Sequence, residues 1–181
     1  VHGWAGAGAF SDGKLSLSDE VGGHISEYLG HQKAMELIHH ADNIYLKFGA
    51  PKEVHGLDDK KVEEIAYEAS RYNIRLVPCP VRHLGTEYAG SVLSAMHDYL
   101  IAQTHTTFAE LTTATDILVE DGKVAGVRLS PRKGEVWEAR SAHVVAAPGR
   151  GGAEWLANEA DKLGLRTQNN EVDIGVRVEV P

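Results

Sequence analysis

The stretch best suited to chemistry is a glycine-rich segment near the start of the chain, GAFSDGKL at 8–15. Its glycines let backbone amides approach a phosphate or a planar ring, and Lys14 adds a cation. The spacing matches a phosphate-binding P-loop as far as the lysine, but Leu15 stands where the hydroxyl that holds magnesium belongs. A magnesium-dependent phosphate hydrolase is therefore a remote alternative. The overlapping sequence Gly6-Ala7-Gly8 fails as a dinucleotide fingerprint, because Ser11 occupies the position that requires Gly or Ala and no helical pattern follows.

A second candidate is the sequence Arg82-His83-Leu84-Gly85-Thr86, which lies between a strand-like run and a helical pattern. It places a permanently charged guanidinium beside a titratable imidazole. Thr86 is a suitable N-cap for the helix that follows. Taken alone, His83 is more often a packed or solvent-facing histidine than a catalytic one.

A third candidate is the sequence AAPGRGG at 146–152, which joins an apolar run to a helical pattern. Amides at the start of a helix favour an anion or the edge of a cofactor. Spacing alone favours an ordinary strand-to-helix turn, because such turns outnumber sites.

Metal-dependent and covalent catalysis have little support in the sequence. The single cysteine, Cys79, lies between two prolines and is interpreted as structural. His39 and His40 are adjacent and cannot face the same side of a helix. We predict no metal site, and we assign no catalytic residue.

The periodicity predicts the elements that must position these segments. Apolar spacing predicts helices at 31–48, 58–72, 86–103 and from 153 to Gly164, with strands at 74–81, 135–139 and 143–147, the last buried on both faces. An Asp121-Gly122 turn predicts a hairpin over 117–129. Residues 1–30 are interpreted as an ordered loop or a linker, and 174–180 as strand-like.

Composition restricts the class of protein. Hydrophobic residues at 43% and charged residues at 24% of 181 are typical of a folded globular chain. A net charge of −8 with scattered Lys and Arg argues against nucleic acid as a partner. We find no apolar run long enough for a membrane span and no signal-peptide pattern at the start, so we expect a cytoplasmic protein. Both ends suggest a piece of a longer protein.

Four segments in this order resemble the FAD-dependent dehydrogenases also called NAD(FAD)-utilizing dehydrogenases, and the resemblance runs through essentially the whole chain. They are GAGAFSDGKL at 6–15, RHLGT at 82–86, APGR at 147–150 together with Trp155, and DIGVRVE at 173–179.

The resemblance implies a fold as well as a function. We expect an α/β chain, an internal fragment of a glutathione-reductase-like FAD/NAD(P)-binding fold with an antiparallel β-meander and an inserted helical and strand lobe. The inserted lobe would cover 1–105 and begin with the glycine-rich loop. The meander and one strand of the FAD domain would cover 106–150, and 151–181 would lead into the second domain.

The resemblance also implies the cofactor and its contacts. Residues expected along FAD are Gly8, Phe10, Ser11, Asp12, Gly13, Lys14, Gly149 and Arg150, and those expected to face the flavin or substrate cavity are Arg82, His83 and Gly85. The parent protein would pass hydride between a small-molecule substrate and flavin, with NAD(P) as a candidate reductant. The isolated fragment, with an incomplete site, is expected to be inactive. A flavin-fold binding or modifying module without dehydrogenase activity is the alternative.

Overall fold

The structure is a computed structural model that describes residues 3–168 and 174–175. It contains both helices and strands, and the strands form antiparallel sheets. This agrees with a mixed α/β class, while the glutathione-reductase-like fold stays a prediction. The chain divides into two compact units, Val1–Phe108 and Ala109–Pro181, and each is described by itself.

The first unit consists mainly of helices, with one small sheet. Its elements are a 3₁₀ helix Gly6–Phe10, β1 Lys14–Ser16, α1 Ile25–Leu29, α2 His31–Lys47, α3 Asp59–Ser70, β2 Val81–His83 and α4 Gly85–Gln103. The two strands pair antiparallel. The core contains Ala50, Leu84 and Val92, with Leu15, Tyr45, Phe48 and Met96 packed against it.

The predicted long helices of this unit are confirmed close to their expected bounds. Asp58 caps α3, since its side chain accepts a hydrogen bond from the Lys61 backbone amide at 3.2 Å. Shortly after α2 ends, Gly49 has a backbone φ of 100°, which residues other than glycine rarely adopt.

Two details of the prediction in this unit are wrong. The strand expected at 74–81 is wrong, because 74–80 have no regular structure and β2 begins only at Val81. Pro78 and Pro80 have no amide hydrogen to donate to a ladder. Thr86 is not an N-cap, because α4 already begins at Gly85. The sequence also gave no sign of β1 and α1, which are too short to show a period.

The second unit is an antiparallel meander followed by a helix. Its elements are β3 Thr112–Glu120, β4 Lys123–Pro131, β5 Trp137–Arg140, a 3₁₀ turn Arg150–Gly152 and α5 Ala153–Lys162. The predicted Asp121-Gly122 turn is confirmed, and both residues have positive φ, 51° and 74°. Positive φ at both central positions is typical of a type I′ hairpin turn.

Two hydrogen bonds join α5 to β3 beside a bulge in that strand. Pairing with β4 shifts register between Ala114 and Asp116, which leaves Thr115 out of the ladder. The Trp155 indole nitrogen donates to the Thr115 carbonyl at 2.9 Å. The Glu159 carboxylate accepts from the Ile117 amide at 2.8 Å. The Thr115 carbonyl and the Ile117 amide are thus both bonded to side chains of the helix.

The buried strand predicted at 143–147 is wrong. These residues have no regular structure, and Val145 is 93% exposed. A strand buried on both faces needs neighbours for its amides and carbonyls, and no strand of the described residues pairs with this run. The strand-like run 174–180 and the segment 173–179 lie outside the described residues except for Ile174 and Gly175, which have no regular structure.

Within the described parts of the chain, no helix combines the length and the apolar character needed to cross a bilayer.

Candidate functional site

The short β1–β2 ladder brings two of the predicted segments together. Lys14 pairs with His83 across this ladder. Just before β1, the carbonyls of Asp12 and Gly13 accept hydrogen bonds from the amides of Gly85 at 2.9 Å and Leu84 at 3.0 Å. Backbone hydrogen bonds therefore join the glycine-rich loop to the start of α4, although about 70 residues of chain separate them.

Local hydrogen bonds fix the shape of the glycine-rich loop. The Ser11 hydroxyl donates to the Gly8 carbonyl at 3.1 Å and accepts from the Gly13 amide at 3.1 Å. Gly13 has φ of 61°, and a Cβ there would lie 3.0 Å from the Cβ of Leu84. The positive φ and the close packing against Leu84 both favour glycine at position 13.

Beside this loop lies a cleft with a volume of about 430 Å³. It is bounded by the loop, by α4 and by one residue of α2. The lining residues are Trp4, Ala5, Gly8, Ser11, Gly13, Lys14, Leu15, Tyr45, Leu84, Ala89, Leu93 and Met96. The cleft thus combines an apolar wall with a polar loop edge, and its volume lies in the range of small-molecule sites.

Lys14 is the cation at this cleft. Its ammonium lies 3.3 Å from the Asp12 carboxylate, and both side chains are about three-fifths exposed, at 62% and 59%. An ion pair this exposed contributes little to stability. Lys14 can therefore turn to an anionic ligand at small cost.

Chemically, the cleft can bind a flat apolar group and hold a negative charge at its edge. A ring bound against the apolar wall would displace water from it, and the free energy gained is proportional to the apolar area covered.

No family model, curated protein or solved structure matches this chain.

Arg82 has a different place from the one expected for a cavity residue. Its guanidinium is buried and donates to the Asp42 carboxylate, with Nε–Oδ1 at 2.5 Å and Nη2–Oδ2 at 2.7 Å. Nη1 donates to the Pro51 carbonyl at 2.7 Å. The hydrogen bond to Asp42 raises the pKa of Arg82, although burial opposes this. The geometry gives Arg82 a structural role inside the unit.

Three other predicted residues lie along the same turn or the loop. His83 is exposed at the end of β2, and Gly85 begins α4 with φ of 75°. Phe10 ends the 3₁₀ helix that forms the first part of the glycine-rich loop. Phe10 thus belongs to the loop, His83 pairs with Lys14 in the ladder, and Gly85 is hydrogen-bonded to Asp12. Neither His83 nor Gly85 is among the described residues that line the cleft.

Gly149 and Arg150 belong to the second unit. Gly149 has φ of 65°, and Arg150 is exposed in the 3₁₀ turn that leads into α5. A Cβ at the neighbouring Gly152 would lie 2.3 Å from the Pro148 Cβ, so this tight turn requires glycine at 152. The bonds of Trp155 and Glu159 to β3 fix the helix that carries the turn.

The sequence analysis did not identify three residues that make long-range hydrogen bonds, namely Trp4, Asp42 and Glu159. Asp42 lies among the apolar positions of α2, and a charge on an apolar helix face signals a buried partner. Glu159, 2% exposed, gives the same signal in α5. Trp4 had only one signal, which was a large aromatic residue in a stretch of Gly and Ala.

Across residues 3–168 and 174–175, no three His, Cys, Asp or Glu side chains lie close enough together to hold a metal ion.

Proposed function

We propose that this chain forms part of the FAD site of an oxidoreductase, in which the cleft of the first unit holds one part of the cofactor. The parent enzyme would transfer hydride between a small-molecule substrate and flavin, with NAD(P) as reductant. The proposal combines the resemblance to the NAD(FAD)-utilizing dehydrogenases with the geometry of the cleft.

The observation that carries the proposal is the β1–β2 ladder. Two segments that resemble the family separately, 6–15 and 82–86, are hydrogen-bonded to each other at Asp12, Gly13, Leu84 and Gly85. Four of the expected contact residues, Gly8, Ser11, Gly13 and Lys14, line one cleft. Convergence of separate motifs on one concave surface supports a binding site.

The residues of the cleft fit part of a flavin dinucleotide. A Cβ placed at Gly8 would meet no atom within 4 Å, so a ligand can approach the backbone there. Leu93 and Met96, both half-buried, offer apolar surface for a flat ring, and Lys14 offers a charge for a phosphate. A dinucleotide is larger than this cleft, so other parts of the protein would hold the rest.

When bound, flavin supplies the hydride chemistry through its isoalloxazine ring. The chain's own residues bind and orient it. Ser11 and Gly13 set the loop shape, Lys14 holds a negative charge, and the apolar wall excludes water. Gly149 and Arg150 are proposed to contact FAD on the strength of the resemblance alone.

The alternatives differ in their support. A flavin-fold module that binds or modifies without dehydrogenase activity would use the same cleft, and only a turnover assay separates it from the leading proposal. The P-loop hydrolase is disfavoured, because Lys14 begins a β-strand. In a P-loop the lysine lies where the loop enters a helix, so that the helix amides face the phosphates.

FAD titration of the full-length protein and its Lys14→Ala variant tests the proposal. The variant should bind FAD about tenfold more weakly, which corresponds to a charge-assisted contact of about 1.4 kcal/mol. Lys33→Ala is the matched control, because Lys33 is also exposed and also pairs with a nearby carboxylate, Glu36 at 2.8 Å. Equal affinity of the Lys14 and Lys33 variants would remove Lys14 from the site.

A further inference from the structure

Trp4 has an unusual position for an aromatic residue in a glycine-rich segment. It lines the cleft beside Gly8 and Met96, and 38% of the residue is exposed. Exposed tryptophan beside a cavity leaves a large apolar surface in water, which a planar ligand would cover.

Contacts to three sides hold the Trp4 indole in one orientation. Its Nε1 donates to the Leu93 carbonyl in α4 at 2.9 Å. The rings of His97 and Phe108 meet it edge-on, with centroids 5.5 Å and 5.1 Å away. His97 and Phe108 also pack on each other, with centroids 4.6 Å apart. The indole is thus fixed before any ligand arrives, which lowers the entropy cost of binding.

The remaining surroundings of the cleft suit a flat ring. Leu93 and Met96 form an apolar wall backed by the buried Leu84, and the Met96 thioether is a favourable neighbour for an aromatic ring. Gly8 contributes no side chain beside the indole. The charged group, Lys14, belongs to the loop edge, so a ring against Trp4 could carry an anionic tail towards Lys14.

We propose that Trp4 is the stacking surface of this cleft and packs against the isoalloxazine ring of the flavin. This inference rests on the proposed function, and it adds a residue and a contact that the resemblance does not supply. Stacking on an indole would also quench the fluorescence of the flavin.

Fluorescence titration of the full-length protein with riboflavin, which has the isoalloxazine ring without the adenine, tests this. Wild type should quench riboflavin on binding. Trp4→Leu should bind about tenfold more weakly and lose most of the quenching, because the stacking surface is gone. Trp4→Phe keeps a ring while losing the bond to Leu93, and should bind with intermediate affinity. Trp137→Phe is the matched control, because Trp137 is 44% exposed on β5 of the other unit.

The outcomes separate this inference from the proposed function. If wild type binds riboflavin and Trp4→Leu binds it equally well, Trp4 is not the stacking surface, although the cleft remains a flavin site. If the Trp4 variants lose affinity for ADP but not for riboflavin, the ring against Trp4 is adenine and the inference is overturned. If wild type binds neither FAD nor riboflavin, both proposals fail. Circular dichroism of Trp4→Leu identifies any loss that comes from unfolding.

Discussion

The guanidinium of Arg82 and the carboxylate of Asp42 form a two-point ion pair inside the first unit, with Nε–Oδ1 at 2.5 Å and Nη2–Oδ2 at 2.7 Å. Asp42 belongs to α2 and Arg82 to β2, so the pair fixes the small sheet to the helix. The next two residues after Arg82 continue to the turn that bonds to the glycine-rich loop. The pair therefore supports the cleft without lining it.

Replacing one partner should be costly. Asp42→Ala leaves a buried guanidinium without its counter-charge, and we expect a loss of about 3–5 kcal/mol in the free energy of unfolding. Urea denaturation followed by circular dichroism measures this. Glu68→Ala is the control, because its pair with Arg71 has both side chains 59% exposed and should contribute under about 1 kcal/mol. Similar losses in the two variants would contradict the structural role of the pair.

A double replacement refines this test. Asp42→Leu combined with Arg82→Met removes both charges and fills similar volume, so it should recover much of the stability lost in Asp42→Ala. If Asp42→Ala weakens FAD binding and the double variant restores it, the Arg82 side chain supports the cleft and does not contact the cofactor. Recovery of stability without recovery of affinity would return Arg82 to the list of ligand contacts.

Glycine at position 126 should be indispensable for the meander. It has φ of 145°, and a Cβ there would lie 2.1 Å from the Ala139 carbonyl oxygen of the neighbouring strand. We expect Gly126→Ala to cost about 3 kcal/mol or more, because backbone must move. Gly122→Ala also replaces a glycine of positive φ, but no atom lies within 4 Å, so its cost should be about 1–2 kcal/mol. Thermal unfolding of the two variants measures the difference, and equal melting temperatures would refute it.

The amphipathic helices and the hairpin could be predicted from the sequence, because each depends on residues that are close together in the chain. The hairpin follows from Asp121-Gly122, whose turn needs positive φ at both positions. The hydrogen bonds at the register shift could not be predicted, because their partners, Trp155 and Glu159, lie about 40 residues away. Local patterns give no sign of such distant partners.

The candidate site shows the same division. Glycines and Lys14 marked the loop as a place of close approach, and the cleft contains Gly8, Gly13 and Lys14. The resemblance placed Arg82 at the cavity, but the direction of its side chain is set by Asp42 on α2. The run 143–147 looked like a buried strand on hydrophobicity alone, yet burial also requires neighbours that pair with it.

Glu159 should be essential for the joint between α5 and β3. Its carboxylate accepts from the Ile117 amide at 2.8 Å and from the Lys162 ammonium at 2.6 Å. Glu159→Ala leaves a partly buried amide unpaired, and we expect a loss of about 1–2 kcal/mol. Glu159→Gln keeps an acceptor for the amide and should lose less.

Hydrogen exchange of the Ile117 amide measures this joint directly. Exchange should be much faster in Glu159→Ala than in wild type, because the acceptor is gone. Glu154→Ala changes an exposed glutamate in the first turn of the same helix, and should leave that amide as protected as before. Unchanged protection in Glu159→Ala would refute the bond.

Acid should weaken the second unit. A hydrogen bond from Thr115, together with Lys162 and Arg128, lowers the pKa of Asp116. A hydrogen bond from Arg128, together with Arg140, lowers the pKa of Glu138. A carboxylate whose pKa is lower in the folded state adds stability above its unfolded pKa, about 4, and that stability is lost as the pH falls through the folded pKa. Nuclear magnetic resonance titration of the Asp116 carboxyl carbon measures the shift. In Lys162→Gln the Asp116 midpoint should move upwards, and an unchanged midpoint would contradict the assigned contact.

The visible absorption spectrum of the purified full-length protein, beside that of this chain mixed with FAD, tests the central proposal most directly. We predict the two-band flavin spectrum in the full-length protein and little bound flavin in the isolated chain, as expected for a site that this chain only partly supplies. Absence of flavin from the full-length protein, even after incubation with FAD, would contradict the proposed function.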